Sequence, residues 1–495
     1  MRFDEYRGFD GVGLAELVAR GDVTASELLE LAIERAEAVN PELNALVIPA
    51  YERARERARR VTPGGVLGGV PMLVKDLSQE MAGVAHTSGN AALKNSGHVE
   101  TQDATIVQRW EAAGLVPFGR TNSPEFGAKG VTEPVAWGAT RNPWNRTRTP
   151  GGSSGGSAAM VAAGVVPIAG ANDGGGSIRI PAAYTGLFGL KPGFGRTPWG
   201  PYFKGNIGAL AVNHVLTRSV RDSAAVLDAS HGWEPGAGVR LAAPEHSYLA
   251  QLQRSPGKLR IAFSLRSPLD TPVHADAVAA VENTVSILQG LGHEVVPAEP
   301  DIDGMQMMGD WLQLWFAQCA ATVDQVRAGT GCKDSGFEPD TLVMAAFGRS
   351  LRANELVEGE FRRQQYQLRY AEFLQRFDLW LTPTVAHPAA RIGELATPAW
   401  QQLASRTMIK VGASRAVLRS GVLDTMAREN LSFTPFTQLM NLTGVPAMSV
   451  PLHTGTDGVP LGVQFAGQHG DEGLLLQLAA QLEQAQPWQH RMPPA

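Results

Sequence analysis

The sequence contains little cysteine: only Cys319 and Cys332 occur in 495 residues, and neither belongs to a Cys-x-x-Cys pair. This scarcity argues against a disulfide framework and a structural zinc site, and it favours two free thiols in a reducing compartment. His-Glu-x-x-His and other clustered ligand patterns are missing, so we expect no metal site. The chain also lacks an excess of positive charge, since 43 basic residues face 48 acidic ones and the formal net charge is -5. A nucleic-acid partner is therefore not expected.

Long hydrophobic runs are missing as well. The longest run, near residues 158–171, is broken by Gly164, Pro167 and Gly170 and is too short to cross a bilayer. The N-terminal stretch MRFDEYRGFDG is polar and has no apolar segment of the kind found in signal peptides. We therefore expect a cytoplasmic protein without a membrane partner.

What the chain does contain is an ordinary globular composition, 44% hydrophobic and 18% charged, with enough material for a large core. Strand, helix and strand patterns alternate between residues 259 and 296, which predicts an α/β fold with parallel pairings. No linker composition splits the chain, so we predict a single domain over residues 1–495. Its predicted parts are an N-terminal helical layer of about residues 10–60, a core of about 66–230 and a helical elaboration of about 300–430 packed on the core.

Two segments near the N-terminus carry local signals. Thr24 and Glu27 form a capping box, and the helix that follows is expected to stop before Pro41, because proline disfavours helix in the residue ahead of it. Residues 68–75 are apolar and bounded by glycines, which predicts a buried strand that ends at Lys75. Lysine is seldom buried without a reason. Either this lysine has a function, or it leaves the strand for solvent beside Asp76.

The most distinctive stretch runs from Pro150 to Ala182 and holds two glycine-serine clusters, at residues 151–157 and 174–177. Glycine allows close approach of the backbone, and successive backbone N–H groups in such loops can converge on an oxygen that gains negative charge. Serine supplies a hydroxyl nucleophile that needs a base. The stretch therefore predicts candidate nucleophiles and a candidate oxyanion hole, and the base has to come from elsewhere.

Several general motifs explain this stretch poorly. A phosphate-binding loop needs a lysine that is missing after the glycines. Residues 152–156, GSSGG, fit the nucleophile elbow Gly-x-Ser-x-Gly, but a polar turn precedes them instead of a strand, and the late histidines have no distinctive setting. Residues 255–258, SPGK, fit Ser-x-x-Lys, but the proline and glycine prevent the helix that would align both side chains. A glycine-rich packing loop is the non-catalytic alternative, and the presence of two serine-rich clusters argues against it.

The run from Gly151 to Ala182 resembles the signature of the amidase signature family. Other patterns of that family recur here in the expected order, namely Lys75 after GGVPMLV, LTPT at 381–384, NLTGVPA at 441–447 and GVPLGVQ at 458–464. The resemblance covers nearly the whole chain. It implies the amidase signature fold, an α/β fold with a large mixed, mostly parallel central sheet covered by helices on both faces.

Members of this family use a Ser-cisSer-Lys triad. By motif position, the resemblance assigns the nucleophile to Ser177, the bridging serine to Ser153 and the base to Lys75. Burial disfavours the charged form of a lysine and lowers its pKa, so a buried strand end suits a base that must be neutral. The peptide between Gly152 and Ser153 is implied to be cis, and the implied oxyanion hole consists of the backbone N–H groups of Gly174, Gly175, Gly176 and Ser177.

Further residues are assigned supporting roles. Asp173 and Arg179 flank the nucleophile and are expected to form a structural ion pair that holds the loop, with Ser154 supporting the network by hydrogen bonding. Trp315 and Cys319, beside Trp311, are candidate residues of an apolar substrate pocket. The alternative for these three side chains is that they belong to the core of a helix.

Two departures from the family pattern bear on the substrate. Gly174 stands in Asn172-Asp173-Gly174 where the family commonly has Thr-Asp-Thr/Ile, and this glycine either loosens the oxyanion loop or makes room for a bulky acyl group. The stretch PEFGAKG at 124–130 replaces the Asp-Glu-Phe-Ala-Met-Gly of tRNA amidotransferase A subunits, which argues against a tRNA-linked role. Residues 132–145, together with Asn172-Asp173, instead resemble the 6-aminohexanoate cyclic-dimer hydrolases, family members that open a nylon-related cyclic amide.

The predicted activity is cofactor-free hydrolysis of C–N bonds in linear or cyclic amides with apolar or aryl groups, through an acyl-enzyme on Ser177. Small-molecule carbamates (urethanes) and esters are alternative substrates, because the same tetrahedral chemistry serves them. An amidotransferase subunit that works only inside a complex is a second alternative. A non-catalytic binding relative is a third, and the intact Lys75, Ser153 and Ser177 argue against it. The resemblance is also compatible with a homodimer.

Overall fold

One sheet runs through the computed structural model, which describes residues 1–201 and 211–494. Its strands are, in chain order, β1 Leu46–Pro49, β2 Pro71–Lys75, β3 Val116–Thr121, β4 Ile168–Asp173, β5 Phe188–Lys191, β6 Val212–Thr217, β7 Arg260–Phe263, β8 Glu294–Pro297, β9 Leu379–Pro383, β10 Ala447–Thr454 and β11 Pro460–Ala466. In space the 11 strands have the order β1-β3-β2-β4-β6-β5-β10-β11-β9-β7-β8. The sheet therefore joins strands from both ends of the chain.

Strand direction confirms the α/β class and the large mixed sheet but corrects the expectation that pairing is mostly parallel. Among the described strands, β3-β2-β4 and β9-β7-β8 pair in parallel, and the six other ladders are antiparallel. Parallel neighbours need a long crossover, whereas antiparallel neighbours can be joined by a short turn. The β10–β11 hairpin has such a turn, at residues 455–459. The other antiparallel ladders at the centre of the sheet join strands that are not linked by a short turn.

Helices surround this sheet. In chain order they are α1 Phe3–Tyr6, α2 Gly11–Arg20, α3 Ala25–Leu43, α4 Tyr51–Ala58, α5 Ala91–Ser96, α6 Thr105–Ala112, α7 Gly155–Ala162, α8 Arg179–Thr185, α9 Val220–Ser230, α10 Tyr248–Gln251, α11 Ala275–Gly290, α12 Gly304–Thr330, α13 Pro339–Ser350, α14 Ala353–Phe373, α15 Ala399–Lys410, α16 Ser414–Val417, α17 Leu423–Leu431, α18 Gln438–Thr443 and α19 Glu472–Ala485. Within the described ranges no helix combines the length and the apolar character that crossing a membrane requires.

Successive residues of the C-terminal strands pack into different hydrophobic clusters. Leu379 and Leu381 of β9 belong to a cluster that includes α11 and α19, whereas Trp380 between them packs into a cluster formed with α12, α14 and α18. Successive side chains of a strand point to opposite faces. The sheet is therefore covered by helices on both faces, as the sequence predicts.

The predicted N-terminal helix has the expected start and a different end. Thr24 and Glu27 form the capping box, but α3 continues through Pro41 to Leu43. The expectation that it stops before Pro41 is wrong: the helix continues for only two residues beyond the proline, and the side chain of Asn40 binds the backbone just after the helix end. Its Oδ1 accepts hydrogen bonds from the N–H groups of Ala45 and Leu46, each at 2.8 Å. The last turn of the helix is thus held in spite of the proline.

Candidate active site

Lys75 ends strand β2, whose five residues are all buried. Its Nζ lies 2.7 Å from Ser153 Oγ and 2.6 Å from Asn172 Oδ1. The alternative that this lysine reaches solvent beside Asp76 is wrong, because Lys75 is completely buried and Asp76 pairs with Arg120 at 3.0 Å. The structure therefore brings Lys75 and Ser153 together on the buried side of the site.

Burial lowers the pKa of Lys75 well below its usual value, and the negative charge of Asp173 opposes this shift only in part. The neutral amine has one lone pair and two N–H groups. Asn172 Oδ1 can accept one N–H, and Asn172 Nδ2 is itself anchored by donating to the carbonyl of Leu77 at 2.9 Å. This arrangement holds the amine so that its lone pair can face the hydroxyl of Ser153.

Ser153 lies where the first glycine-serine cluster turns into α7. The peptide bond between Gly152 and Ser153 is cis, the geometry that the resemblance implies. A side chain at position 152 has no room, since a Cβ there would lie 2.7 Å from the carbonyl oxygen of Val131. Ser154 donates a long hydrogen bond of 3.4 Å to the carbonyl of Asn172, which ties this turn to β4.

Ser177 lies in the loop between β4 and α8 and is partly exposed. It lines the same cavity as Ser153. In the described part of the chain, no hydrogen bond joins Ser177 Oγ to Ser153. The structure therefore contains the contact between Lys75 and Ser153, but not a contact between Ser153 and Ser177. Such contacts are often loose until a substrate is bound.

The loop between β4 and α8 is called the nucleophile loop below, after the predicted role of Ser177. Three side chains from distant parts of the chain donate hydrogen bonds to its backbone carbonyl groups. Asn441 Nδ2 donates to the carbonyl of Asp173 at 3.0 Å. Trp311 Nε1 donates to that of Gly174 at 3.1 Å, and Thr437 Oγ1 to that of Gly175 at 2.6 Å. Fixing three successive carbonyls on one side fixes the peptide planes, and with them the directions of the N–H groups.

The predicted oxyanion donors do not all behave alike. The N–H of Gly176 donates to Asp173 Oδ1 at 2.7 Å, so the structure uses this group inside the loop, contrary to the prediction. A buried carboxylate needs such donors, and Asp173 takes this one. No described residue accepts a hydrogen bond from the N–H of Gly175 or Ser177. The N–H groups of Gly174, Gly175 and Ser177 therefore remain the candidate donors of the oxyanion hole.

Asp173 and Arg179 form the ion pair expected from the sequence. Arg179 Nη2 and Nε reach the two carboxylate oxygens at 2.8 and 2.9 Å, and both side chains are fully buried. Burial opposes the charge on Asp173, but the charge and hydrogen bonds of Arg179 outweigh it and hold the pKa of Asp173 well below its usual range. Arg179 also donates to Gln464 Oε1 at 2.7 Å. The pair therefore joins the loop to β11.

A cavity of about 400 Å³ opens over Ser177 and Ser153. Both predicted pocket residues, Trp315 and Cys319, line it, whereas Trp311 stacks behind Trp315 at a ring separation of 5.3 Å. Gly174 provides space for this wall, since a Cβ there would lie 3.2 Å from Trp315 Cζ3. The room left by the glycine is thus filled by an indole ring of the protein.

Some residues of the site were not assigned from the sequence. Asn172 entered the sequence comparison with the family, but without a role in the site, although it contacts Lys75. Asn441 opens the NLTGVPA pattern, which gave it a signal but no role. Thr437 and the Nε1 group of Trp311 had no signal, because their contacts with the loop depend on segments far away in the chain.

One group of residues in the described ranges has ligand atoms that converge as in a metal site. These are Glu80, His86 and Glu100, whose ligand atoms all lie within 4.8 Å of one another. The three residues also line the cavity. Their spacing in the sequence matches no metal motif, so the sequence gave no reason to single them out.

The chain is similar in sequence to known amidases over almost its full length. The family model named Amidase matches residues 27–476. The 6-aminohexanoate-cyclic-dimer hydrolase of Pseudomonas sp. (strain NK87) is 37% identical over 98% of this chain and 96% of its own length. That of Paenarthrobacter ureafaciens is 38% identical with the same coverage.

Solved structures agree with this similarity. A 6-aminohexanoate cyclic dimer hydrolase complexed with substrate superposes with a TM-score of 0.88, 35% identity and 98% coverage of both chains. A bacterial aryl acylamidase of the amidase signature enzymes superposes with a TM-score of 0.83 and 26% identity, covering 97% of this chain and 96% of its own. The chain therefore belongs to the amidase family of enzymes.

Proposed function

We propose that this protein hydrolyses amides through an acyl-enzyme on Ser177, with Ser153 as the proton relay and Lys75 as the base. The observation that carries the proposal is the contact of 2.7 Å between Lys75 Nζ and Ser153 Oγ, beside a cavity that Ser153 and Ser177 share. The lowered pKa of Lys75 supports it, since only the neutral amine can accept a proton.

In the first half of the reaction, neutral Lys75 accepts the proton of Ser153 while Ser153 accepts that of Ser177. Ser177 Oγ bonds to the amide carbonyl carbon, and the carbonyl oxygen becomes negatively charged. The N–H groups of Gly174, Gly175 and Ser177 stabilise this charge. The held carbonyls of Asp173 and Gly174 support this role, because they share their peptide planes with the N–H groups of Gly174 and Gly175. The C–N bond then breaks, and the leaving amine receives the proton returned by Lys75 through Ser153.

In the second half, water adds to the acyl-enzyme. The same relay accepts a proton from the water, the oxyanion forms again, and the bond between Ser177 Oγ and the carbonyl carbon breaks. Ser177 regains its proton from Ser153, and the acid is released. Each proton taken by Lys75 is returned within the same half-reaction, so the lysine is neutral again at the end.

The substrates that fit best are linear or cyclic amides with apolar or aryl groups. Relatives named for hydrolysis of a cyclic amide and of aryl amides support this choice, as do Trp315, Phe126 and Leu77 in the cavity wall. Carbamates and esters share the tetrahedral chemistry and belong in the same substrate panel. The amidotransferase alternative predicts that the purified chain alone does not hydrolyse a simple aryl amide, so turnover by that chain would exclude it.

The test compares Ser177→Ala with Ser286→Ala, a control at an exposed serine of α11. We expect Ser177→Ala to lower the rate of anilide hydrolysis by about 10⁴-fold or more, with an unchanged unfolding temperature, and Ser286→Ala to keep the wild-type rate. Intact-protein mass spectrometry with a slowly hydrolysed substrate should show the added acyl group in the wild type and not in Ser177→Ala. Retained turnover or acylation in Ser177→Ala would reject the proposal.

A further inference from the structure

One wall of the cavity carries acidic side chains that the proposed mechanism does not use. Glu80, His86, His98 and Glu100, called the Glu–His cluster below, all line the cavity that contains Ser177. The side chains of Glu80, His86 and Glu100 are only 12%, 10% and 11% exposed. Carboxylates are rarely this buried without partners, which makes their presence in a substrate cavity informative.

The backbone holds the cluster in place. Residues 85 and 99 form an isolated antiparallel bridge, and His86 N–H donates to the carbonyl of His98 at 3.3 Å. The carbonyl of Glu80 accepts a hydrogen bond from Ala104 at 2.9 Å. Side chains on such fixed backbone are suited to recognise a ligand at a defined position.

Within the cluster, His86 is oriented by Ser88 and faces the carboxylates. His86 Nε2 lies 3.1 Å from Ser88 Oγ, while its Nδ1 lies 2.8 Å from Glu100 Oε1 and 3.8 Å from Glu80 Oε1. Burial opposes the charge on Glu100, but His86 and His98 outweigh it and lower its pKa to about 2. The carboxyl group of Glu100 is therefore ionised at neutral pH. The carboxylate of Glu80 accepts no hydrogen bond from any described residue, so its oxygens are open to a donor from the cavity.

Glu80 and Glu100 are the only acidic residues that line the cavity among residues 1–201 and 211–494, and apart from the two histidines of the cluster the described lining holds no basic residue, neither lysine nor arginine. With neutral imidazoles, the charge of this lining is therefore negative. A cavity lined by one sign of charge attracts ligands of the other sign and repels those of its own. Apolar side chains also line the cavity, among them Leu77, Leu93 and Phe126. The cavity thus combines a nucleophile, an apolar wall and an acidic wall.

We propose that the Glu–His cluster binds an ammonium group of the substrate, so that the enzyme prefers amides carrying an alkylammonium chain. The proposal rests on the proposed function, since it places the scissile amide at Ser177 in the same cavity. An ammonium group has three N–H donors, and the carboxylates of Glu80 and Glu100 are acceptors only. A substrate with a carboxylate at that end is repelled by the same wall.

The test uses matched 4-nitroanilides that differ at the chain end. These are the 6-aminohexanoyl compound, the heptanoyl compound with a methyl group in place of the ammonium, and the adipoyl compound with a carboxylate, together with shorter and longer homologues. A second matched pair carries the ammonium or the methyl group on the amine part of the amide instead of the acyl part. This pair tests a substrate that binds with its amine part toward the cluster. We expect kcat/KM for the ammonium member of at least one pair to exceed the methyl member by about tenfold to a hundredfold, with the carboxylate member lowest.

Glu80→Gln and Glu100→Gln should lower the ratio of ammonium to methyl substrate toward one, whereas the exposed control Glu282→Gln on α11 should keep it. Equal kcat/KM for the ammonium and methyl members of both pairs would overturn the proposal. So would a ratio that the two variants leave unchanged.

Binding to Ser177→Ala, measured by calorimetry, gives a test that does not depend on turnover. Tighter binding of the ammonium amide supports the inference even if no anilide is hydrolysed, in which case only the proposed function fails. Equal binding of both amides overturns the inference. A bound metal ion, found by elemental analysis of the purified protein, whose removal by a chelator changes the affinity of both amides equally would also overturn it, because the cluster would then be a metal site.

Discussion

At the scale of single residues, the site depends on keeping one lysine uncharged next to a carboxylate. Asp173 favours the charged form of Lys75, and burial favours the neutral form and dominates. Two contacts limit the conflict: Arg179 neutralises Asp173, and Lys75 Nζ meets a neutral amide oxygen at Asn172 instead of a second carboxylate. The amide at position 172 therefore lets the lysine be held without being charged.

This leads to a prediction for the pH dependence. Below its pKa, Lys75 is protonated and cannot accept a proton, so kcat/KM should rise with pH and level off once the amine is neutral, at a midpoint well below 10.5. In Asn172→Asp, a carboxylate replaces the amide 2.6 Å from Nζ and favours the ammonium form, so the midpoint should move to higher pH. Where Lys75 is mostly protonated, moving the midpoint up by about one pH unit lowers kcat/KM by about tenfold.

Asn172→Ala is the control for this experiment. It removes the contact with Lys75 without adding charge, so its rates should fall without an upward shift of the midpoint. The measurement is a pH profile of kcat/KM for one anilide with all three proteins. A profile of Asn172→Asp that superimposes on that of the wild type would show that Lys75 is not the group that titrates.

The sequence predicted some residues of the site and missed others. Lys75, Ser153 and Ser177 were assigned by motif position, and their catalytic roles stay predictions. The resemblance assigns Gly176 to the oxyanion hole together with its neighbours, yet its N–H donates to Asp173; a motif position does not show which of the neighbouring N–H groups is used inside the loop. Glu80 and Glu100 lie twenty residues apart in unremarkable loops, and only the bridge between residues 85 and 99 brings their neighbourhood together.

At the scale of elements, the nucleophile loop between β4 and α8 is shaped by the helix packed against it. A Cβ at Gly175 would overlap the indole ring of Trp311, whereas one at Gly174 would meet Trp315 Cζ3 at 3.2 Å and Ala211 Cβ at 3.5 Å. Gly175 is required because Trp311 is held in place by the hydrogen bond from its Nε1 to the loop. Gly174 faces Trp315, whose ring lines the cavity.

Alanine substitutions at Gly174 and Gly175 should have different effects on stability and activity. Gly175→Ala forces Trp311 and the loop apart, and it should lower the free energy of unfolding by about 1–3 kcal/mol and reduce kcat. Gly174→Ala should cost less stability and mainly change KM for substrates with bulky acyl groups, through Trp315. Thermal unfolding and steady-state kinetics with a small and a bulky anilide check both. Equal effects of the two substitutions would contradict this account of the loop.

Element prediction succeeded where the local pattern was strong. The strand ending at Lys75 is β2, and the capping box at Thr24 begins α3. Strand β4, Ile168–Asp173, gives a weaker local signal. Its polar end, Asn172-Asp173, looks like a loop in sequence, but both side chains are buried by contacts with Lys75 and Arg179. Tertiary partners here override the local preference.

At the scale of the whole molecule, a single sheet joins the two ends of the chain. Strands β5 and β6 connect the N-terminal strands to β10, so no described strand group stands apart from the sheet. This arrangement is consistent with the predicted single domain, which stays a prediction, as does a homodimer. The predicted core of about residues 66–230 includes 202–210, which lie outside the described residues.

Unfolding tests the single domain. We expect one cooperative transition, with far-UV circular dichroism and tryptophan fluorescence coincident. Leu476→Ala in α19, at a fully buried position, should cost about 2–5 kcal/mol and move that single transition to lower denaturant concentration. Two separated transitions in this variant, one of them unchanged from the wild type, would show that the ends of the chain unfold independently.

The contacts behind the nucleophile loop also set the order in which activity can arise during synthesis. Lys75, Ser153 and Ser177 are all translated within the first two-fifths of the chain, but Trp311, Thr437 and Asn441, which fix the loop carbonyls, come much later. A nascent polypeptide on the ribosome therefore carries all three side chains of the proposed triad long before these contacts can form. Hydrolytic competence should therefore appear abruptly, only after the segment beyond residue 441 has left the exit tunnel.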